Sequence, residues 1–115
     1  MRIEVIGKVP SVNHYWVAYG KKRFISDAGV RFKSLVRAKA IEAGFKPLLG
    51  DVAVSVVWHR GDKRRADLDN ILKVVLDSLS GLAYLDDSQV TFLEATKRYS
   101  GIHSIEISVR DANDD

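Results

Sequence analysis

Leu68, Ile71, Leu72, Val75, Leu76 and Leu79 fall at i, i+3, i+4, i+7, i+8 and i+11, a continuous apolar stripe that a helix turns to one side. Gly81 supplies the expected C-terminal stop. A helix with one such face must lie on something. The partner on offer is a strand in which Val52, Val54, Val56 and Trp58 alternate with Ala53, Ser55, Val57 and His59. Much of both of its faces is apolar, which predicts a central position in the sheet.

Around this pair the chain reads as a short series of elements. Ile3, Val5, Gly7 and Val9 alternate with Arg2, Glu4, Ile6 and Lys8, a first strand stopped by Pro10. Ser11 to Lys22 reads as a loop holding Asn13, Tyr15, Trp16 and Tyr19, and Arg23 to Ser26 as a short strand. Ser26 or Asp27 is placed to cap a helix from Ala28 to Ala43, with Phe32, Leu35, Val36, Ala40 and Ala43 as its apolar stripe and Gly44 as its end. Val90 to Tyr99 and Ile102 to Arg110 are expected as two final strands, joined at Ser100-Gly101 by a hairpin turn. The order is strand, short strand, helix, strand, helix, strand, strand. It predicts an α+β fold, a small mixed sheet with two principal helices packed on it.

At 115 residues the chain is expected to be one domain, residues 1–110, followed by an acidic tail, 111–115, expected to be disordered. It holds no apolar run long enough to span a bilayer, and Met1-Arg2-Ile3-Glu4 lacks the apolar core of a signal peptide. With no cysteine there is no disulfide framework, and the expected location is the cytoplasm, without membrane attachment. The net charge is +3; leaving out Asp111, Asp114 and Asp115, 18 cations face 12 acids, a balance of +6. Such a surface suits a polyanion. Its cations cluster at Lys21-Lys22-Arg23, at Arg31, Lys33, Arg37 and Lys39, at Arg60, Lys63, Arg64 and Arg65, and at Lys97-Arg98. Taken singly, each cluster reads more readily as a solvated face than as a binding site, but Lys63-Arg64-Arg65 runs straight into an acidic motif and would set phosphate contacts beside it.

That motif is Asp67-Leu68-Asp69-Asn70, with Lys73 one turn on and Asp86-Asp87 beyond the helix. Carboxylates gathered closely raise one another's pKa unless a cation sits among them. Oxygen-only ligation suits Mg²⁺, with Mn²⁺ as a substitute, and Mg²⁺ commonly takes one or two carboxylates and fills its shell with water and phosphate. His14, His59 and His103 are too scattered for a zinc set.

On a regular helix Asp67 and Asp69 would point about 200° apart, so their convergence requires Asp67 to be the N-cap, outside the first turn. Lys73 lies roughly 6 Å along the axis from Asp69 and can reach the same space. Asp77, roughly 12 Å away, is expected to pair with Lys73. The plain alternative needs no metal: Asp67 as a cap, Asp69, Lys73 and Asp77 as a charged helix face, Asp86-Asp87 as turn residues.

Arg64-Arg65 before Asp67-Leu68-Asp69-Asn70, then Lys73, Asp77 and Leu79, then Leu85-Asp86-Asp87-Ser88-Gln89-Val90, together with Pro10-Ser11-Val12-Asn13, Tyr15 and Trp16, resemble the RusA-type Holliday-junction resolvases. These are small homodimeric endonucleases of bacteria and their phages. The resemblance covers roughly Val9 to Tyr99 and departs from the family at Val9-Pro10, where two prolines are common. It implies that Asp67, Asp69 and Asp87 bind the metal, that Lys73 is essential, and that Asp86 supports them, with Asn70 orienting a ligand or finishing the helix start.

It further implies paired nicks in a DNA four-way junction, leaving 5′-phosphate and 3′-hydroxyl ends, by a C2 dimer with two equivalent sites. Lys63, Arg64, Arg65, Lys21, Lys22, Arg23 and Asn13 are the expected DNA contacts. Val74, on the otherwise polar side of its helix, is a candidate for the dimer face or else an ordinary valine. Tyr15, Trp16 and Tyr19 either stack on unpaired bases or anchor their loop. A non-cleaving branched-DNA-binding module and a general metal-dependent nuclease acting on flaps, single strands or RNA remain as alternatives.

Overall fold

A computed structural model describes residues 1–113. The fold is α+β. Four strands form one sheet in the order β1 (Arg2–Ile6), β6 (Ser104–Asp111), β4 (Val52–Arg60), β5 (Val90–Tyr99). β4 runs antiparallel to β6 and parallel to β5, and β1 pairs antiparallel with the far side of β6. A separate two-stranded ribbon joins β2 (Trp16–Tyr19) to β3 (Lys22–Ile25). The helices are α1 (Val12–Tyr15), α2 (Asp27–Glu42) and α3 (Asp69–Leu79).

The core lies between α2, α3 and one face of the sheet. That face carries Ile3 and Val5, Val52, Val54, Val56 and Trp58, and Ile105, Ile107 and Val109, all buried. Period-two alternation explains the segregation: Ser55, Glu106 and Ser108 share the opposite face. From α3 come Ile71, Val75 and Leu79, as its stripe requires, and truncating one of these to alanine would cost about 2–5 kcal/mol.

Ser26 caps α2, its hydroxyl accepting from the Gly29 amide at 3.1 Å and donating to the His14 carbonyl at 2.5 Å. Gly29 is needed there, since a Cβ would come within 2.7–2.9 Å of Ile25 and Tyr15.

Several expectations fail for definable reasons. The first strand ends at Ile6, because Gly7 takes a positive φ of 124° and turns the chain. The expected loop at Ser11 to Lys22 contains a helical turn and the first ribbon strand.

Leu35 is 48 % exposed and Ala43 is also exposed, so the buried stripe of α2 is Gly29, Phe32, Val36 and Ala40. Ser100-Gly101 is not a hairpin turn. β5 and β6 lie on opposite sides of β4, and their link crosses the end of that strand, the Ser100 amide donating to the Arg60 carbonyl at 3.1 Å. A turn signal announces a reversal without saying which strand will lie alongside.

Val74 is wholly buried in the core, not a surface for a partner. Asp111, expected in a loose tail, ends β6 opposite Val52, and the Ala112 amide donates to the Asp51 carbonyl at 2.9 Å. Asp114 and Asp115 fall outside the described residues. Among those residues no helix is long and apolar enough to cross a membrane.

Candidate active site

The acidic motif opens α3 at one end of the sandwich. The helix starts with tight i to i+3 contacts, the Asn70 amide donating to the Asp67 carbonyl at 3.1 Å and the Ile71 amide to the Leu68 carbonyl at 3.3 Å. The cap position falls on Leu68, already helical at φ −58°, ψ −39°, and no side chain caps it. Asp67 is therefore not the expected N-cap. Its side chain and that of Asp69 are exposed, and neither has a hydrogen-bond or ion-pair partner among the described residues.

Asp86 and Asp87 contrast with them. Asp86 caps a single 3-10 turn, Asp87–Gln89, accepting from the Ser88 amide at 3.0 Å, and Gln89 completes a capping box. The Gln89 carbonyl oxygen accepts from the Leu85 and Asp86 amides at 2.8 and 3.0 Å, while its amide donates to the Leu48 and Gly50 carbonyls, each at 2.8 Å. The Ser88 bonds, and to a lesser degree the charge of Lys73, hold the Asp86 carboxyl below its ordinary pKa.

Lys73 reaches across from α3 to donate to Asp87 at 2.8 Å. This bond and the charge of Asp87, with smaller contributions from Asp77 and Asp86, raise the lysine's pKa. The expected Lys73–Asp77 pair is not formed. Asp77 instead accepts from the buried Tyr15 hydroxyl at 2.5 Å, with Lys33 at 3.7 Å. Burial, then Asp77, pushes the Tyr15 phenol well above its ordinary pKa. Tyr15 is thus an anchor of the N-terminal loop, with Trp16 edge-on at 5.2 Å and Arg23 stacked over Trp16 at 4.9 Å. Tyr19 stands 80 % exposed at the ribbon's tip.

Among the described residues, no three His, Cys, Asp or Glu side chains stand close enough together to hold one metal ion. Asp67, Asp69 and Asp87 therefore do not close into a three-carboxylate cage: Asp67 misses the cap geometry that would fold it back, and Asp87 is turned to Lys73. The donors still fit a hard divalent cation. They are all oxygen, two are unpartnered, and Mg²⁺ needs only one or two carboxylates beside water and a phosphate.

The loop from Gly61 to Leu68 that carries the basic run is itself ordered. Asp62 accepts from the Arg64 amide at 3.0 Å and from Arg60 at 3.2 Å, and lies 3.5 Å from His103. The Arg64 amide bond first, then Arg60, His103 and Arg64 as charges, lower the Asp62 pKa. Gly61 donates its amide to His103 at 3.1 Å in a space where a Cβ would lie 2.9 Å from the imidazole. Lys97 ties the far end down through the Ala66 carbonyl at 2.6 Å. Lys63, Arg64 and Arg65 are exposed, and Arg65 lines a cavity together with Asp67. Lys21, Lys22 and Arg23 sit on the ribbon and Asn13 on α1, none of them lining that cavity.

Gln89, Asp62 and Lys97 escaped the sequence reading as supports of the site. The Asp86-to-Gln89 spacing of a capping box was available as a signal for Gln89; for Lys97 nothing local was, because its partner is 31 residues away.

A basic loop running into unpartnered carboxylates suits contact with a nucleic-acid backbone, and the class it belongs to is the nucleases. Residues 7–110 match the family described as Endodeoxyribonuclease RusA, and the chain belongs to that family. It is 34% identical over 84 residues to the crossover junction endodeoxyribonuclease rusA of Enterobacteria phage HK97, covering 70% of this chain and 68% of that protein. Its identity to the protein of the same name from Enterobacteria phage 82 is 29% over 93 residues, 76% of this chain and 75% of that one. A shorter match, 41% over 49 residues, covers 43% of this chain and 34% of the uncharacterized protein YqaN of Bacillus subtilis (strain 168).

Proposed function

We propose that this endodeoxyribonuclease resolves DNA four-way junctions as a Mg²⁺-dependent homodimer in the cytoplasm, by symmetric nicks that leave 5′-phosphate and 3′-hydroxyl ends. One observation carries the reading: Lys73 holds Asp87 at 2.8 Å against the same helix whose start presents Asp67 and Asp69 without partners. The relatives named for crossover junctions supply the substrate class.

Asp67 and Asp69 would hold the cation directly, and Asp87 through a water of its shell. When bound it supplies an activated water and polarises the scissile phosphate, worth several kcal/mol. The chain's own residues do the rest. Lys73 brings an ammonium whose charge is secured by Asp87, and it neutralises charge building on the phosphoryl oxygens. Gln89 fixes the Asp86-Asp87 turn by four hydrogen bonds and so sets where Lys73 can reach. Lys63, Arg64 and Arg65 hold the strand's phosphates beside the carboxylates; Lys21, Lys22, Arg23 and Asn13 extend that contact along a second element.

The test is cleavage of a synthetic four-way junction against duplex, flap and RNA, with and without Mg²⁺, at one stated salt concentration. Paired nicks on the junction alone are expected. Tight binding without nicks after hours would turn the reading to a non-cleaving branched-DNA module, and equal cleavage of all substrates to a general nuclease.

A further inference from the structure

A cavity of about 680 Å³ opens between the N-terminal loop, the first turns of α2 and the end of β4, with Asp67 on its rim. Its floor is apolar, built from Phe32, Trp58 and Ile71, all buried. Its polar lining is one-sided. Lys8, Arg31 and Arg65 line it without a hydrogen-bond or ion-pair partner among the described residues, against the single acid Asp67.

Arg60 lies deeper. Its guanidinium sits 5.1 Å from the centre of the Trp58 ring and donates to Asp62, but its Nε is buried with no hydrogen-bond partner.

We propose that this cavity receives one unpaired nucleotide of the substrate strand, its base on the apolar floor and its phosphate among the cations of the rim. This rests on the reading of the chain as a nuclease for branched DNA and adds to it a place where a base leaves the stack. The volume is that of a small-molecule site, larger than a single structural water needs. A metal cation is disfavoured by four cationic side chains, and inorganic phosphate alone would leave the floor uncovered. A nucleotide carries a flat apolar body for the floor and an attached anion for the cations of the rim. A paired base cannot enter, because it is held in the duplex; at a branch point the cost of freeing one is lowest. The position beside Asp67 puts the inserted nucleotide next to the strand to be cut.

The test uses the whole chain in EDTA, so that no cleavage occurs and the outcome is independent of whether the protein cuts junctions. Amide and indole resonances are followed while dT4, thymidine monophosphate, inorganic phosphate or a fully paired duplex is added. Single-stranded dT4 is expected to shift Lys8, Val9, Arg31 and the Trp58 indole saturably. Leu35→Trp, at the half-exposed rim, should fill the cavity and weaken dT4 binding about tenfold, with its melting temperature reporting an intact fold. Arg31→Glu should weaken it similarly by reversing a rim charge.

Equal shifts from inorganic phosphate would overturn the role of the base. Equal shifts from duplex would overturn the requirement for an unpaired nucleotide. Binding of thymidine monophosphate but not dT4 would make this a site for free nucleotides and overturn the assignment to a DNA strand. Shifts confined to Lys21, Lys22 and Arg23 would remove the cavity from DNA binding.

Discussion

The two acidic pairs of the site are built in opposite ways. Asp86 and Asp87 are tied into a capping box, a glutamine clamp and an ion pair with Lys73, whereas the carboxylates of Asp67 and Asp69 have no partner among the described residues. A carboxylate tied to a neighbour is held in place by it; one without partners is open to a cation. On the proposed function the α3 start would take the cation directly, while the 3-10 turn holds Lys73 beside it through Asp87.

Removing an open carboxylate at the start of α3 should have the largest effect. Asp69→Asn should lower junction cleavage about a thousandfold, the equivalent of ~4 kcal/mol, while gel-shift affinity for the junction holds or rises. Unchanged cleavage would take Asp69 out of the chemistry.

Cutting the scaffold should act differently, through stability as well as rate. Gln89→Ala deletes four hydrogen bonds and should cost about 2 kcal/mol in a urea titration, with a smaller loss of cleavage than Asp69→Asn. An unaltered urea midpoint would show that the clamp is not needed to hold the turn.

Mg²⁺ or Ca²⁺ at tenfold over its dissociation constant should stabilise the folded chain by about 1.4 kcal/mol, seen as a higher melting temperature that Asp67→Asn blunts. No rise at any concentration would leave the unpartnered pair without its cation.

The smallest effect is in acid. Asp86 has a folded pKa below its ordinary 3.8, so the stability it contributes is complete above that value and is lost as pH falls through the lower folded midpoint. A carboxyl-carbon titration should give Asp86 a midpoint under 3.8, rising in Ser88→Pro, which lacks both the Ser88 side chain and the donating amide and leaves only the Lys73 charge to lower it. A normal midpoint in the wild type would mean that the capping box is open in solution.

What could be read from the sequence follows from the range of the interactions. α3 was legible because its stripe runs over twelve positions, Leu68 to Leu79, and β4 because much of both its faces is apolar. The acids and the basic run that precedes them were legible as residues, since their chemistry is carried by type and spacing. Their arrangement was not. The cap of α3 fell one residue past Asp67 because the first turn is wound i to i+3, and Asp77 went to Tyr15, 62 residues away, a contact no helical spacing can announce. The β5–β6 link failed for the same reason: a local turn signal cannot know that β4 will lie between.

Addition of Mn²⁺ to the metal-free protein, with amide relaxation followed residue by residue, tests directly whether the two acidic pairs serve one ion. The account expects the earliest and strongest broadening at Asp67 and Asp69, with Asp87 next, and its suppression in Asp69→Asn. Broadening that begins elsewhere, or that touches the α3 start and leaves the Asp87 turn sharp, would contradict it.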